Sequence, residues 1–158
     1  MRVGLGYDVH RLEAGRPLIL GGMHIPSPVG LLGHSDADVL VHAIIDALLG
    51  AAALGDIGAH FPDTDEKWRG ADSVQLLESV STMIGREGFT VANIDATVVI
   101  EKPKLRPYID QMRENIARAC KIDVVAVSVK ATTSEGLGFV GSAQGVAAHA
   151  ICLLSPRT

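Results

Sequence analysis

Residues 34–56 read HSDADVLVHAIIDALLGAAALGD, and their pattern decides the fold. An apolar run of this length, opened by Ser35 and Asp36 and closed by Gly55, predicts a helix over roughly residues 35–53. At 3.6 residues per turn, Ser35, Asp38, His42 and Asp46 share one narrow stripe. Leu40, Val41, Ile44, Ile45, Leu48 and Leu49 cover much of the remaining surface. Such a helix is buried on most sides and turns a single polar seam toward something polar.

The N-terminal segment supplies a partner for that seam. Val3, Leu5, Tyr7 and Val9 alternate with the period of a half-buried strand, so Asp8 and His10 in GYDVHR (6–11) project from one face. Gly4 and Gly6 lie on that same face, where a missing side chain leaves room for a diphosphate to approach the backbone. Asp8, His10 and His42 make a three-ligand set, the count for a zinc ion that keeps a fourth position open. Taken singly, an Asp-x-His pair is commonly structural, and His42 alone fits a core histidine satisfied by Asp46. With the metal present, Asp46 is expected to orient His42 or His10.

Composition narrows the class. The chain has 158 residues, 47% hydrophobic but only 4% aromatic, which predicts one domain (1–158) whose interior is built from aliphatic, Ala and Gly positions. A net charge of -4 gives no electrostatic footprint for nucleic acid, so no nucleic-acid partner is expected. Cys120 and Cys152 are not closely spaced, which disfavours zinc ribbons and disulfide frameworks and favours buried free thiols. The most apolar window, 39–54, contains His42 and Asp46 and falls short of the ~20 residues that span a bilayer. The chain opens directly into its first strand, with no charged stretch ahead of an apolar one, so a cytoplasmic location without membrane association is expected.

Further along, LILGG (18–22) and HIPSPVG (24–30) read as a short hairpin and loop. GDIGAHFPDTDEKWRGAD (55–72) is long and acidic, a candidate lid. A helix is expected from Ser73 to Glu87 with Asp72 as cap and Gly88 as stop. Residues 91–101 alternate as a strand, with Ala92, Ile94, Ala96, Val98 and Ile100 inward. Pro107 opens a helix carrying Leu105, Ile109, Met112 and Ile116, and a strand with Val125, Val127 and Val129 follows. GVAAHAICLL (145–154) is a last, small-residue strand, in which His149 reads as a core or subunit-interface residue. The order predicts an α/β fold with a mixed sheet backed by helices.

The turn KATTSEGLGF (130–139) concentrates Lys130, Thr132, Thr133, Ser134 and Glu135. Hydroxyls and turn amides suit phosphate oxygens, and a nearby carboxylate suits a hard divalent cation bridging two phosphates. An ordinary polar turn capped by Thr or Ser is the bland reading of the same residues.

Together GYDVHR, residues 33–65, EKPKLRP (101–107) and KATTSEGLGF resemble, in order and spacing over essentially the whole chain, the signature segments of the 2-C-methyl-D-erythritol 2,4-cyclodiphosphate synthase family of the non-mevalonate isoprenoid pathway. The resemblance implies that 4-CDP-2-C-methyl-D-erythritol 2-phosphate is converted to a cyclic diphosphate with release of CMP. It implies Zn2+ on Asp8, His10 and His42, and a second cation, Mg2+ or Mn2+, held by Glu135 with the substrate phosphates. His34 and Ser35 would contact phosphate and, with Thr133, stabilise the transition state; the expected helix N-terminus beside them also favours anions. Asp56, Ile57 and Gly58, with Phe61, Pro62, Asp63, Thr64 and Asp65, would hold the erythritol portion. Ile100, Glu101, Lys102, Pro103, Lys104, Leu105 and Arg106, with Ala131 and Thr132, would hold the cytidine diphosphate end, and Ser134 is a further expected substrate contact.

The resemblance further implies a homotrimer with an active site at each subunit boundary and an apolar axial cavity near Phe139. Ser142 stands where relatives often carry an arginine facing that axis, so weak or no binding of isoprenoid diphosphates is expected. Two other readings fit the residues alone: a zinc hydrolase of a nucleotide diphosphate, and a non-catalytic nucleotide-binding trimer.

Overall fold

Alternation at the N-terminus and the small-residue run at the C-terminus produce the two longest strands, β1 (Arg2–Ala14) and β7 (Gly145–Pro156), which pair antiparallel from Arg2↔Leu154 to Arg11↔Gly145. The computed structural model describes residues 1–157. A five-stranded sheet runs in the order β4 (Val29–Leu32), β1, β7, β5 (Phe89–Val99), β6 (Val127–Thr132). Among the described residues only β5 and β6 pair in parallel, so the sheet is mixed, as the order of elements predicts. Helices α1 (Val39–Ala51), α3 (Ser73–Arg86) and α4 (Ile109–Cys120) pack against it, while the short helices α2 (Ile57–His60) and α5 (Gly138–Gly141) sit in connections.

The close contact of α1 with β1 corrects the role given to two glycines. A Cβ on Gly4 or Gly6 would overlap the carbonyl oxygen of Ala47 or Ala43, so the helix backbone, and not a ligand, fills the space they leave. Small residues on both elements bring the helix down onto the strand and carry His42 toward Asp8 and His10.

The helix also starts later than Ser35. Asp38 is its N-cap and is fully buried, its carboxylate accepting from Val41 N at 3.1 Å, Gly21 N at 3.0 Å and Gly22 N at 2.8 Å. Those glycines, at φ 57° and 73°, turn the hairpin of β2 (Leu18–Leu20) and β3 (Met23–Ile25), where both central residues need positive φ. Asn115 on α4 donates to Gly21 O at 3.0 Å, so one turn is held by two helices. Burial, and then the neighbouring Asp36 charge, push the Asp38 carboxyl up to about 6, against the pull of its three backbone donors.

Three further expectations shift. A β-bulge between Val91 and Asn93 resets the phase of β5, burying Val91 and exposing Ala92. Val125 lies in a 3-10 turn (Val124–Ala126) ahead of β6 and is 81% exposed. His149 is not a core residue: it lies exposed on the sheet face away from the helices, its ring 5.0 Å from that of Tyr7. Val3, Leu5, Val9 and Ile151 are exposed on this face as well. Cys120 and Cys152 are buried and free, and burial raises the two thiols to about 12 and about 11.

Candidate active site

Alternation on β1 and the seam on α1 converge as the spacing predicts. Ligand atoms of Asp8, His10 and His42 lie within 4.8 Å of one another. His10 Nε2 is 3.0 Å and His42 Nδ1 3.1 Å from the same Asp8 oxygen, and the two ring nitrogens are 3.2 Å apart. Leu32 O, which can only accept, lies 2.8 Å from His10 Nδ1; that nitrogen therefore carries the proton and Nε2 is left facing the cluster. Burial works against charge on Asp8, but the His10 and His42 rings beside it outweigh burial and hold the carboxyl down at about 2. Burial lowers and Asp8 raises the His10 pKa, with a net rise. Two imidazoles and one carboxylate, aimed at one point with their far nitrogens already bonded, fit a divalent metal ion.

The cluster opens into a cavity of about 390 Å³ that also takes in Gly33, His34, Ser35, Ile57, Gly58, Phe61, Pro62 and Asp63. Trp68 and Leu76 complete its apolar wall, Trp68 meeting Phe61 edge-on with ring centres 4.9 Å apart. A cavity of about 460 Å³ between α3 and β5, bordered by Arg86, Lys121 and Arg157, is distant from these donors.

Several expected contacts are committed elsewhere. Asp46 does not orient a histidine: its carboxylate accepts from Ile57 N at 2.7 Å and so holds the first turn of α2. Asp56 caps that helix through Ala59 N, and Asp65 caps the next turn through Lys67 N. His34 Nε2 lies 3.0 Å from Asp65 O and ties the 33–38 segment to the acidic loop. At the start of α1, where an anion was expected beside His34 and Ser35, the Val41 amide donates to Asp38. Asp63 and Thr64 are exposed on the loop.

The 100–106 and 131–135 segments lie together, though apart from the Asp8, His10, His42 cluster. Lys104, Arg106, Lys130 and Ala131 border one cavity; Glu101, Lys102 and Pro103 border another with Val140 and Gly141. Across the row Val9, Ala147, Val99, Thr132, strands β7 and β5 intervene between β1 and β6, about 14 Å at ~4.8 Å per strand. Ile100 and Leu105 are core side chains, leaving only their backbone for a ligand. Glu101 accepts from Ser134 N at 2.9 Å and from Ser134 Oγ at 3.0 Å, fastening the turn that presents Thr132, Thr133 and Glu135 to solvent. Phe139 and Ser142 are exposed, and the Ser142 hydroxyl donates to Gly138 O at 3.1 Å.

Asp36, Ser73, Trp68 and Leu76 escaped the sequence reading. Ser73 and Asp36 carry only helix-start signals in sequence, and Leu76 reads as an ordinary helix position; the lone Trp in an acidic loop was the one available clue.

A sequence model of the YgbB family matches residues 1–155. The 2-C-methyl-D-erythritol 2,4-cyclodiphosphate synthase of Salinibacter ruber is 64% identical over 154 residues, 98% of each chain. Among solved structures, the bifunctional IspDF of Campylobacter jejuni superposes with a TM-score of 0.94 at 43% identity, this chain covering 42% of that protein. A 2C-methyl-D-erythritol-2,4-cyclodiphosphate synthase in its CDP-bound form gives 0.89 at 41% identity, over 98% of this chain and 100% of that one. The mixed sheet that carries the triad is thus shared with solved members of a known enzyme family, and the chain belongs to the YgbB family of 2-C-methyl-D-erythritol 2,4-cyclodiphosphate synthases.

Proposed function

We infer that this chain catalyses the cyclising lyase reaction of its family, converting 4-CDP-2-C-methyl-D-erythritol 2-phosphate to the 2,4-cyclodiphosphate and CMP. A substrate 2-phosphate oxygen bonds to the β-phosphorus. The bond from that phosphorus to the bridging oxygen breaks, and CMP departs with the oxygen. A phosphate monoester, with a second pKa near ~6, is already an anionic nucleophile at neutral pH, so no serine or cysteine nucleophile is needed. The protein's task is to fold the substrate and offset its charge.

The observation that carries this reading is the Asp8, His10, His42 cluster opening into a cavity shared with His34, Ser35 and Gly58. In the proposed arrangement Asp8, His10 and His42 hold Zn2+, and Glu135 with substrate phosphates holds Mg2+ or Mn2+. Bound there, the cations supply neutralisation of the phosphate charge. His34, Ser35 and Thr133 contact the transferring phosphoryl oxygens. The Asp56–Gly58 and Phe61–Asp65 segments enclose the erythritol portion, with the aromatic pair Phe61 and Trp68 excluding water.

The nucleotide end belongs, in this proposal, to the 100–106 and 131–135 segments of a neighbouring subunit in a homotrimer. Two features favour it: those segments lie on the far side of the sheet row from the metal cluster, and the sheet face bearing Val3, Leu5, Val9 and Ile151 is apolar and uncovered. Sedimentation of a monomer at active concentrations would contradict it. Incubation with the CDP-linked substrate, followed by phosphorus NMR, tests the chemistry. Cyclic diphosphate with CMP is expected; linear hydrolysis products or unchanged substrate would overturn the assignment.

A further inference from the structure

His42 can face the cluster with a lone pair on Nδ1 only if its proton sits on Nε2. That choice is made behind the ring, where Ser73 and Asp36 have no part in the family reading. Nε2 lies 2.8 Å from Ser73 Oγ and 3.2 Å from Ser35 Oγ. Ser73 is fully buried at the first turn of α3, and its hydroxyl donates to Asp36 Oδ1. Asp36 is itself fixed from two sides, accepting from Ser73 N at 3.0 Å and from Asp38 N at 3.1 Å. A hydroxyl has one proton, and an ionised carboxylate can only accept. Because the Ser73 hydroxyl gives its one hydrogen bond to Asp36, Ser73 has only lone pairs to offer His42, so this contact is made by an Nε2–H; on the other side of the ring Nδ1 faces Asp8 Oδ2 at 3.1 Å, and a cation held by the triad would take the place of a proton there.

We propose that Ser73, aligned by Asp36, is a positioning residue that locks His42 in the Nε2–H tautomer and thereby leaves Nδ1 free to join Asp8 and His10. This rests on the metal reading of the triad. Ser73 also ties α3 to α1 at the triad, so the relay Asp36, Ser73, His42 joins two segments distant in sequence. Partners behind a metal-bound histidine commonly set ring orientation and ligand strength in this way.

Two-bond proton–nitrogen correlation spectra of the zinc-loaded protein read directly which His42 nitrogen keeps its proton. His42 is expected as Nε2–H in the unmodified chain; an Nδ1–H ring would overturn the proposal without any variant being made. Ser73→Ala and Asp36→Asn should each loosen the tautomer and lower zinc affinity, by chelator competition, on the order of 10- to 100-fold. Ser73→Thr, which keeps the hydroxyl, should restore both. Folded Ser73→Ala and Asp36→Asn variants with unchanged tautomer and unchanged zinc affinity would overturn the assignment. If the unmodified protein binds no zinc, the metal reading falls and the proposal with it; if it binds zinc and the two variants match it, the metal reading stands and the proposal alone falls.

Discussion

Gly6 lies so close beneath Ala43 that a Cβ on the glycine would occupy the alanine carbonyl oxygen and come within 2.8 Å of Ala47 N. Because the obstacle is helix backbone, α1 must lift as a body, and His42 lifts with it. Gly6→Ala is therefore expected to cost about 3 kcal/mol or more, on the order of 10 °C in Tm, and to abolish tight zinc binding. Thermal melts and chelator competition check both, and a variant with unchanged zinc affinity would show that the close approach does not set the triad.

Removal of the ligands should separate two metals. His42→Ala is expected to lose bound zinc and nearly all turnover, whereas Glu135→Ala keeps zinc and demands more magnesium for a slower reaction. Bound zinc per chain and a magnesium titration of activity provide the readouts; the reverse pattern would refute the two roles.

Asp46 sits one helical turn beyond His42, yet its carboxylate holds Ile57 N. Asp46→Ala should leave zinc affinity unchanged while loosening the α2 turn that lines the cavity. Loss of one charge-assisted hydrogen bond raises KM on the order of 10-fold. Zinc loss with unchanged KM would return Asp46 to the role of ligand orienter.

The sequence announced some of this and hid the rest for identifiable reasons. The triad was legible because strand and helix periods each place a ligand on a known face: Asp8 and His10 by alternation, His42 by the seam. Gly4 and Gly6 were visible as gaps, but periodicity cannot say whether helix or ligand fills a gap. Asp46 failed because i+4 spacing permits contact with His42 without excluding a competing amide from residue 57. The reset in β5 escaped because Val91 and Ala92 are both apolar, so either phase fits. Ser73 could not be paired with His42 from spacing at all, since only the packing of α3 on α1 makes them neighbours.

Glu101 fastens the 133–136 turn from the end of β5, accepting both the amide and the hydroxyl of Ser134. Those two donors hold its carboxyl below the usual glutamate range, the backbone donor contributing most. Glu101→Ala should lower kcat about 10- to 100-fold through misplacement of Thr133 and Glu135, with zinc unaffected. Glu101→Gln keeps an accepting oxygen and should retain most activity. Equal losses in the two variants would argue for a direct charge on substrate instead.

Asp38 makes stability fall as the solution turns less acidic. Its carboxyl titrates at about 6 in the folded chain, where burial and then Asp36 raise it, against 3.8 for a free aspartate side chain. Between those values the folded state binds a proton that the unfolded state has released. The contribution is therefore complete below pH ~4 and is lost as pH rises through about 6, amounting to ~3 kcal/mol in all. The cost is tolerated because the ionised group still collects three backbone donors from two elements, Gly21 and Gly22 in the hairpin and Val41 in α1. A carbon-13 titration of the Asp38 carboxyl should show a midpoint near 6, accompanied by a downward slope in urea-unfolding free energy from this group across the same interval. A midpoint below that of a free aspartate would mean that the three donors outweigh burial, and the slope would then reverse sign.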